Sequence, residues 1–305
     1  MASFIKNISN LLRLRQYYKN FLIFVGLFFS ENLFQTEHYL TLIIGFILLC
    51  FTSSINYIIN DIVDVENDKE HQEKLHKKPL ASGELSIKFA IFLLLILIIS
   101  IVLSIVYLIP NLSFILLLIA IIITGQLYSH LLKNYAFVDI LILSTGYLWR
   151  SLAGCFIIDQ SISSWLLLAI FEVALFLVIA KRKGDLLAFE NKEKATKHKK
   201  VYNVYNLRLL DNFHNLTAAS IFMTYSLYIF DKFKLEEFND YIVIISIPIL
   251  IYILMRYMYL TTEEPEIARN TEKAFLDKGI LIAGLLMGLV LLYSFYNGII
   301  IDFFI

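Results

Sequence analysis

Charge is what this sequence is short of. Only 17% of its 305 residues are Asp, Glu, Lys or Arg, and 59% are hydrophobic. An ordinary soluble domain is about 25% charged and roughly 45–50% apolar. Together with a mean hydropathy of +0.72, this excludes a soluble globule and predicts a membrane protein. Cysteine is nearly absent as well. Cys50 and Cys155 lie inside apolar runs and lack C-x-x-C spacing, so both are read as core packing, not as a metal or redox pair. The six histidines show no zinc-ligand spacing, and no P-loop, dinucleotide fingerprint or Ser-His-Asp pattern is present. The net charge is zero, which argues neither for nor against nucleic acid; none is expected as a partner.

What is there is a series of apolar runs, each near the ~20 residues needed to cross a bilayer. They fall at about 19–35, 39–59, 87–109, 112–129, 137–158, 163–181, 214–231, 241–260 and 278–298. The prediction is an all-α polytopic membrane protein with nine transmembrane helices, one domain over 1–305. Residues 1–18 are basic and amphipathic without a small-residue cleavage site, so they read as an interfacial helix. With the N-terminus cytoplasmic, 23 of the 26 Lys and Arg residues fall on the inside, as the positive-inside rule requires. The long connections, 60–86, 182–213 and 261–277, lie on that same face. Chemistry is therefore expected there, above all in 60–86 and 182–213.

One stretch organises the rest: Asn60-Asp61-Ile62-Val63-Asp64-Val65-Glu66-Asn67-Asp68, at the end of the second apolar run. If the helix continues, Asp61, Asp64 and Asp68 stand within roughly 60° of arc on one face. Asn60, Asp64 and Asp68 form an overlapping row. Like charges gathered at a membrane cavity's edge make sense around a hard divalent cation, and Mg²⁺ takes such oxygens while sharing substrate phosphates. The plainer reading is a solvated acidic helix end balanced by Lys69, Lys74, Lys77 and Lys78.

Basic candidates follow. Lys77-Lys78-Pro79 opens a turn into the next span, with Ser86 as its cap; alternatively it is a positive-inside anchor. Tyr128 and Lys133 point toward the same cytoplasmic mouth, although Lys133 could simply snorkel. Arg150 lies near mid-span, where an arginine is costly; it binds an anion or pairs with Glu172. Lys181-Arg182-Lys183 either stops transfer or supplies counter-charge to phosphates, with Arg182 as a fork and Lys181 as a point charge.

These residues give the chain its resemblance to the UbiA superfamily of intramembrane prenyltransferases. It rests on N-D-x-x-D-x-x-x-D at 60–68, K-P-L-A-S-G at 78–83, and nine spans. Within that superfamily the chain most resembles the decaprenyl-phosphate phosphoribosyltransferase branch. That branch has an R-x-R-Q-W-x-K-N-like opening, here Arg13 to Asn20, a Y-S-x-x-L-K turn, here Tyr128 to Lys133, and a Y-L-x-R-x-x-A-G span, here Tyr147 to Gly154. Its K-R-x-x-E-L stretch stands here as Lys181-Arg182-Lys183-Gly184-Asp185-Leu186. The family's H-P-x-K reads His71-Gln72-Glu73-Lys74, a departure, as are Lys183, Gly184 and Asp185.

The resemblance implies a UbiA-like bundle in the bacterial cytoplasmic membrane, with its active site facing the cytoplasm. It implies Mg²⁺-dependent transfer of 5-phosphoribose from phosphoribosyl diphosphate to a polyprenyl phosphate, with membrane lipid around it and room for a homo-oligomer. Asp61, Asp64 and Asp68, helped by Asn60, would hold the metal. Lys74, Lys133, Lys181 and Arg182 would hold the donor's phosphates, Arg150 a donor or acceptor phosphate, and Tyr128 and Lys19 would complete the substrate site. The runner-up is a prenyltransferase moving an isoprenyl group to an aromatic or small polar acceptor. A transporter whose acidic cluster is an ion site is the rival from another class; the charges lie at one face and no inverted repeat is evident.

Overall fold

The computed structural model describes residues 2–69, 78–189, 195–196, 199–234, 236 and 238–304. Among them every regular element is helical: α1 (Ala2–Leu12), α2 (Val25–Phe29), α3 (Glu37–Val63), α4 (Val65–Lys69), α5 (Ile87–Tyr107), α6 (Leu112–His130) and α7 (Val138–Ile157) come first. Then follow α8 (Ser164–Leu187), α9 (Leu207–Lys232), α10 (Ser246–Glu263), α11 (Pro265–Arg269) and α12 (Lys278–Phe304), with short 3-10 stretches between. Their boundaries follow local chemistry. Ser86, Asn111 and Asn206 each accept a hydrogen bond from the backbone N–H three residues on, capping α5, α6 and α9. Ser86 thus caps its helix as its sequence position suggested.

Among the described residues, seven helical stretches are long and apolar enough to cross a membrane: Glu37–Val63, Ile87–Tyr107, Leu112–His130, Val138–Ile157, Ser164–Leu187, Asp240–Glu263 and Lys278–Ile299. The outward faces of α5 and α12 carry exposed Phe92, Leu95, Ile99, Leu285 and Leu289, which water would not tolerate in such numbers and lipid would. Two of the expected runs look different. The one at 19–35 is divided between a 3-10 stretch, Leu14–Phe24, and the short α2. The one at 214–231 lies in α9, 26 residues long but interrupted by Asn212, His214, Asn215, Ser220 and Thr224.

The chain divides into two compact units. The first comprises Met1–Leu131 and Trp149–Ser161. Its core gathers Leu11, Ile23, Leu48, Ile58, Phe114 and Ala153. Arg13, at φ 53°, breaks α1 from the 3-10 stretch. Gly154 lets that stretch come in close: a Cβ there would lie 1.8 Å from the Ile23 carbonyl oxygen. The second unit comprises Leu132–Leu148 and Ile162–Ile305, with Ile140, Ile179, Val201, Tyr202, Tyr205 and Leu210 among its core. Glu172 on α8 accepts hydrogen bonds from Ser220 and Thr224 on α9, at 2.5 and 3.2 Å. That accounts for Ser220 and Thr224 among the polar residues that interrupt α9. At the far end, Arg256 forks onto Asp277 at 2.8 and 3.1 Å, and this contact holds the Asp277 carboxyl down at about 2.

Candidate functional site

A polar stripe runs down α3 in the first unit, at the three- and four-residue spacing that puts side chains on one helix face. Ser53 and Asn20 meet Arg150, whose Nε donates to Asn20 Oδ1 at 2.8 Å and whose Nη2 donates to Ser53 Oγ at 3.3 Å. These two partners are an amide and a hydroxyl. Ser54 shares a hydrogen bond with the Tyr17 hydroxyl at 2.8 Å. Further along, Asn56 accepts from Gln126 at 2.8 Å and donates to the Ile121 carbonyl at 3.1 Å. Asn60 donates to Ser129 Oγ at 2.8 Å, which leaves its own Oδ1 buried with no hydrogen-bond partner.

The stripe ends in acid. α3 stops at Asp64, which sits at φ −88° and ψ 3°, and α4 resumes at once. Asp64 N–H still reaches the Asn60 carbonyl, and Asp68 N–H the Asp64 carbonyl, both at 2.9 Å. The turn-by-turn spacing therefore survives the break. Asp61 and Asp68 are 2% and 1% exposed, whereas Asp64 is only half-buried.

Lys78 closes the cluster. Its Nζ lies 3.0 Å from Asp61 Oδ1 and donates to Asp68 Oδ2. Arg13 reaches Asp61 Oδ1 from the other side at 2.9 Å, with its guanidinium over the Tyr57 ring. Lys78 is held in place by a turn: Leu85 N–H bonds to the Pro79 carbonyl at 3.0 Å, and Gly83 takes φ 77°, which a glycine adopts without strain. Both buried carboxylates thus contact a cation. Among the described residues, no group of three His, Cys, Asp or Glu side chains converges as a metal cage. The oxygens on offer are still hard donors: two carboxylates already gathered around one cation, and the orphaned Asn60 Oδ1. That set fits Mg²⁺, which keeps several waters and borrows phosphate oxygens instead of needing an all-protein cage.

The second unit holds a different cluster. Arg182 Nε donates to Asp139 Oδ2 at 2.8 Å, and both side chains are almost fully buried. Asp139 Oδ1 accepts from the Tyr205 hydroxyl at 2.6 Å, and that hydroxyl accepts from Phe137 N–H at 2.7 Å. Asp185 lies 3.7 Å from Arg182 Nη1, accepts from the Tyr202 hydroxyl at 3.0 Å and from Arg269 Nε at 3.2 Å. Burial, helped by the nearby carboxylates, pushes both tyrosines up, so they stay protonated donors. Burial, with Arg182 beside it, brings Lys199 down to about 7.

The structure thus gathers Asp61 and Asp68, sets Asn60 and Asp64 next to Asp61 at the end of α3, and adds Arg13 and Lys78. Lys19 lies near the Tyr18 ring in the 3-10 stretch, Tyr128 is half-buried on α6, and Lys133 lies in the Leu132–Asn134 turn. Lys181 is exposed at the end of α8 while Arg182 is buried. Lys74 and His71 lie outside the described residues. Sequence reasoning missed Asp139 as a partner of Arg182, and Tyr202 and Tyr205 as donors to Asp185 and Asp139. It gave Lys78 as one of four lysines balancing the acidic helix end and as part of a basic patch, and Arg13 as part of the basic N-terminal segment and of the opening motif.

A profile of the UbiA prenyltransferase family matches residues 20–278. The chain is 28% identical over 223 residues to a decaprenyl-phosphate phosphoribosyltransferase of Corynebacterium glutamicum, covering 72% of this chain and 66% of that protein. It is 32% identical over 199 residues to one from Mycolicibacterium smegmatis, covering 65% and 59%. With one from Mycobacterium tuberculosis it is 27% identical over 236 residues, covering 76% of each. The matched stretch therefore spans from somewhat over half to three quarters of these relatives. Among solved structures, a UbiA homologue from Archaeoglobus fulgidus bound to GPP and Mg²⁺ superposes with a TM-score of 0.67 at 18% identity, over 95% of this chain and 98% of that one. A digeranylgeranylglyceryl phosphate synthase structure gives 0.60 at 20% identity, over 95% and 97%. At such identities the likeness speaks for the fold.

Proposed function

This chain belongs to the UbiA prenyltransferase family, and on that premise we propose that it transfers 5-phosphoribose from phosphoribosyl diphosphate to a polyprenyl phosphate. The relatives named as decaprenyl-phosphate phosphoribosyltransferases support this donor and acceptor. The observation that carries the reading is the pair of buried carboxylates, Asp61 and Asp68, drawn around one cation at the end of a membrane helix.

Bound Mg²⁺ would supply electrostatic stabilisation of the departing diphosphate. Asp61 and Asp68 would hold it directly or through water, with Asp64 and Asn60 Oδ1 as further oxygen donors. Lys74, Lys133, Lys181 and Arg182 would neutralise donor phosphates, Arg150 a donor or acceptor phosphate, and Lys19 and Tyr128 would contact substrate. In the transfer, the bond from the anomeric carbon to the diphosphate breaks and one to the acceptor's phosphate oxygen forms. That oxygen is already anionic, so no strong general base is required.

The proposal includes nine crossings of a bacterial cytoplasmic membrane, with the N-terminus and the chemistry on the cytoplasmic side and 1–305 acting as one catalytic domain. Leu14–Phe24 and Val25–Phe29 follow each other without a gap. At about 2.0 Å per 3-10 residue and 1.5 Å per α residue they extend roughly 30 Å, the hydrocarbon thickness of a bilayer. By the same rise α9 is about 39 Å long.

The test incubates purified protein with Mg²⁺, labelled phosphoribosyl diphosphate and a set of polyprenyl phosphates, then extracts the lipid. Label in the lipid phase is the expected result. Consumption of a prenyl diphosphate, with indifference to phosphoribosyl diphosphate, would replace the reading with prenyl transfer.

A further inference from the structure

We propose that Lys78 is an exchangeable counter-ion: its ammonium stands in the metal-free protein where a divalent cation sits between Asp61 and Asp68, and it is released when that cation binds. This rests on the metal reading of the acidic cluster given above.

Asp61 and Asp68 are almost completely withdrawn from solvent, and two carboxylates in that situation need positive charge close by. Lys78 supplies it to both at once, from a side chain that is itself 20% exposed. The lysine therefore has a route out to solvent that the aspartates lack. A single ammonium touching two carboxylates has the placement a bridging metal would take, and it cannot share that position with an ion carrying twice its charge.

Charge arithmetic gives the release a direction. Asp61, Asp64 and Asp68 against Lys78 and Arg13 leave one net negative charge. Addition of a divalent cation turns this into an excess of one positive charge, which favours an anionic ligand and disfavours keeping both basic side chains in contact. Arg13 bonds Asp61 and stacks over Tyr57, so it is the better anchored of the two. Lys78 bonds both carboxylates through Nζ alone, on a flexible four-carbon stem. Of the pair, Lys78 is the one to leave, and a freed ammonium beside a bound diphosphate is a phosphate ligand.

Two measurements test this without recourse to turnover. The first counts free Mn²⁺ by electron paramagnetic resonance in titrations of the detergent-solubilised full chain, its Lys78→Met and Lys78→Gln variants and the charge-keeping Lys78→Arg. Removal of the competing ammonium should tighten Mn²⁺ binding by about tenfold or more, the equivalent of ~1.4 kcal/mol, with Lys78→Arg close to the parent. Unchanged or weaker binding in folded Met and Gln variants overturns the exchange. The second needs no variant. Amine acylation of the parent protein, read by mass spectrometry, should label Lys78 more when Mn²⁺ is present; equal or lower labelling overturns the proposal. If the parent binds no Mn²⁺ at all, the metal reading itself falls and the exchange falls with it, a result distinct from binding that ignores Lys78.

Discussion

Replacing Asp139 by Asn isolates the buried ion pair that anchors the second unit. Asp139 is 0% exposed and Arg182 2%, and each carboxylate oxygen is engaged, one by Arg182 Nε and the other by the Tyr205 hydroxyl. The amide keeps the shape but removes the charge. It leaves a buried guanidinium with Asp185 Oδ2 3.7 Å from its Nη1. Breaking a buried pair from one side costs about 3–5 kcal/mol, because the surviving charge is stranded. Arg182→Met should cost a similar amount by stranding Asp139. Removing both charges strands neither, so the double variant should cost clearly less than the two single changes added together, with a coupling of at least ~1.5 kcal/mol. The assay is thermal unfolding in one detergent, read as the folded fraction by size-exclusion chromatography, with melting temperatures compared across the four proteins. Additive effects within about 0.5 kcal/mol would mean that the two side chains do not depend on each other, and would refute the reasoning.

The other predictions concern the acidic cluster, pH and packing. Asp64→Asn should lower Mg²⁺-dependent turnover at least about tenfold, the scale on which outer metal partners act; near-normal turnover would remove Asp64 from the metal site. Lys199 falls from its ordinary 10.5 to about 7 in the folded protein, so between those values the unfolded chain binds the extra proton. Stability should therefore rise with pH across that window and be lost as pH falls through about 7. A pH series of melting temperatures should show this slope flattened in Lys199→Met, and an equal slope in both proteins would show that Lys199 is not its source. Gly154→Ala forces a Cβ to within 1.8 Å of the Ile23 backbone oxygen, whereas Gly284→Ala meets nothing within 4 Å. Folded yield should collapse for the first and hold for the second, since overpacking against backbone has no flexible side chain to absorb it.

How far the sequence reaches depends on the kind of pattern. Continuous apolarity is a local property, so α3, α5, α6, α7, α8, α10 and α12 lie where the runs predict them. α9 was harder, since its Ser220 and Thr224 answer to Glu172, some fifty positions earlier in the chain. The break at Arg13, in the left-handed region, has no glycine to announce it. In the acidic stretch, Asp61 and Asp68, seven residues apart, both contact the Lys78 ammonium. Spacing says which face a carboxylate occupies; it does not say which basic residue folds back onto it. Four lysines stood within reach along the chain, and only the turn at Pro79 and Gly83 brings Lys78 to them. Asp139 and Arg182 are 43 residues apart, and Tyr202 and Tyr205 carry no motif, so that cluster was invisible before folding.

The hydroxyls of Ser220 and Thr224 on Glu172 also bear on how the chain enters its membrane. A helix carrying Asn212, His214, Asn215 and those hydroxyls is a poor candidate for independent partition into lipid, and a carboxylate alone in α8 is no better. Each removes the other's objection. During synthesis the two segments should therefore be released into the bilayer as a hairpin, with α8 detained at the insertion machinery until α9 has emerged. Deleting the hydroxyls, or Glu172 alone, should show up first as a failure of biogenesis and only later as a fault in any finished protein.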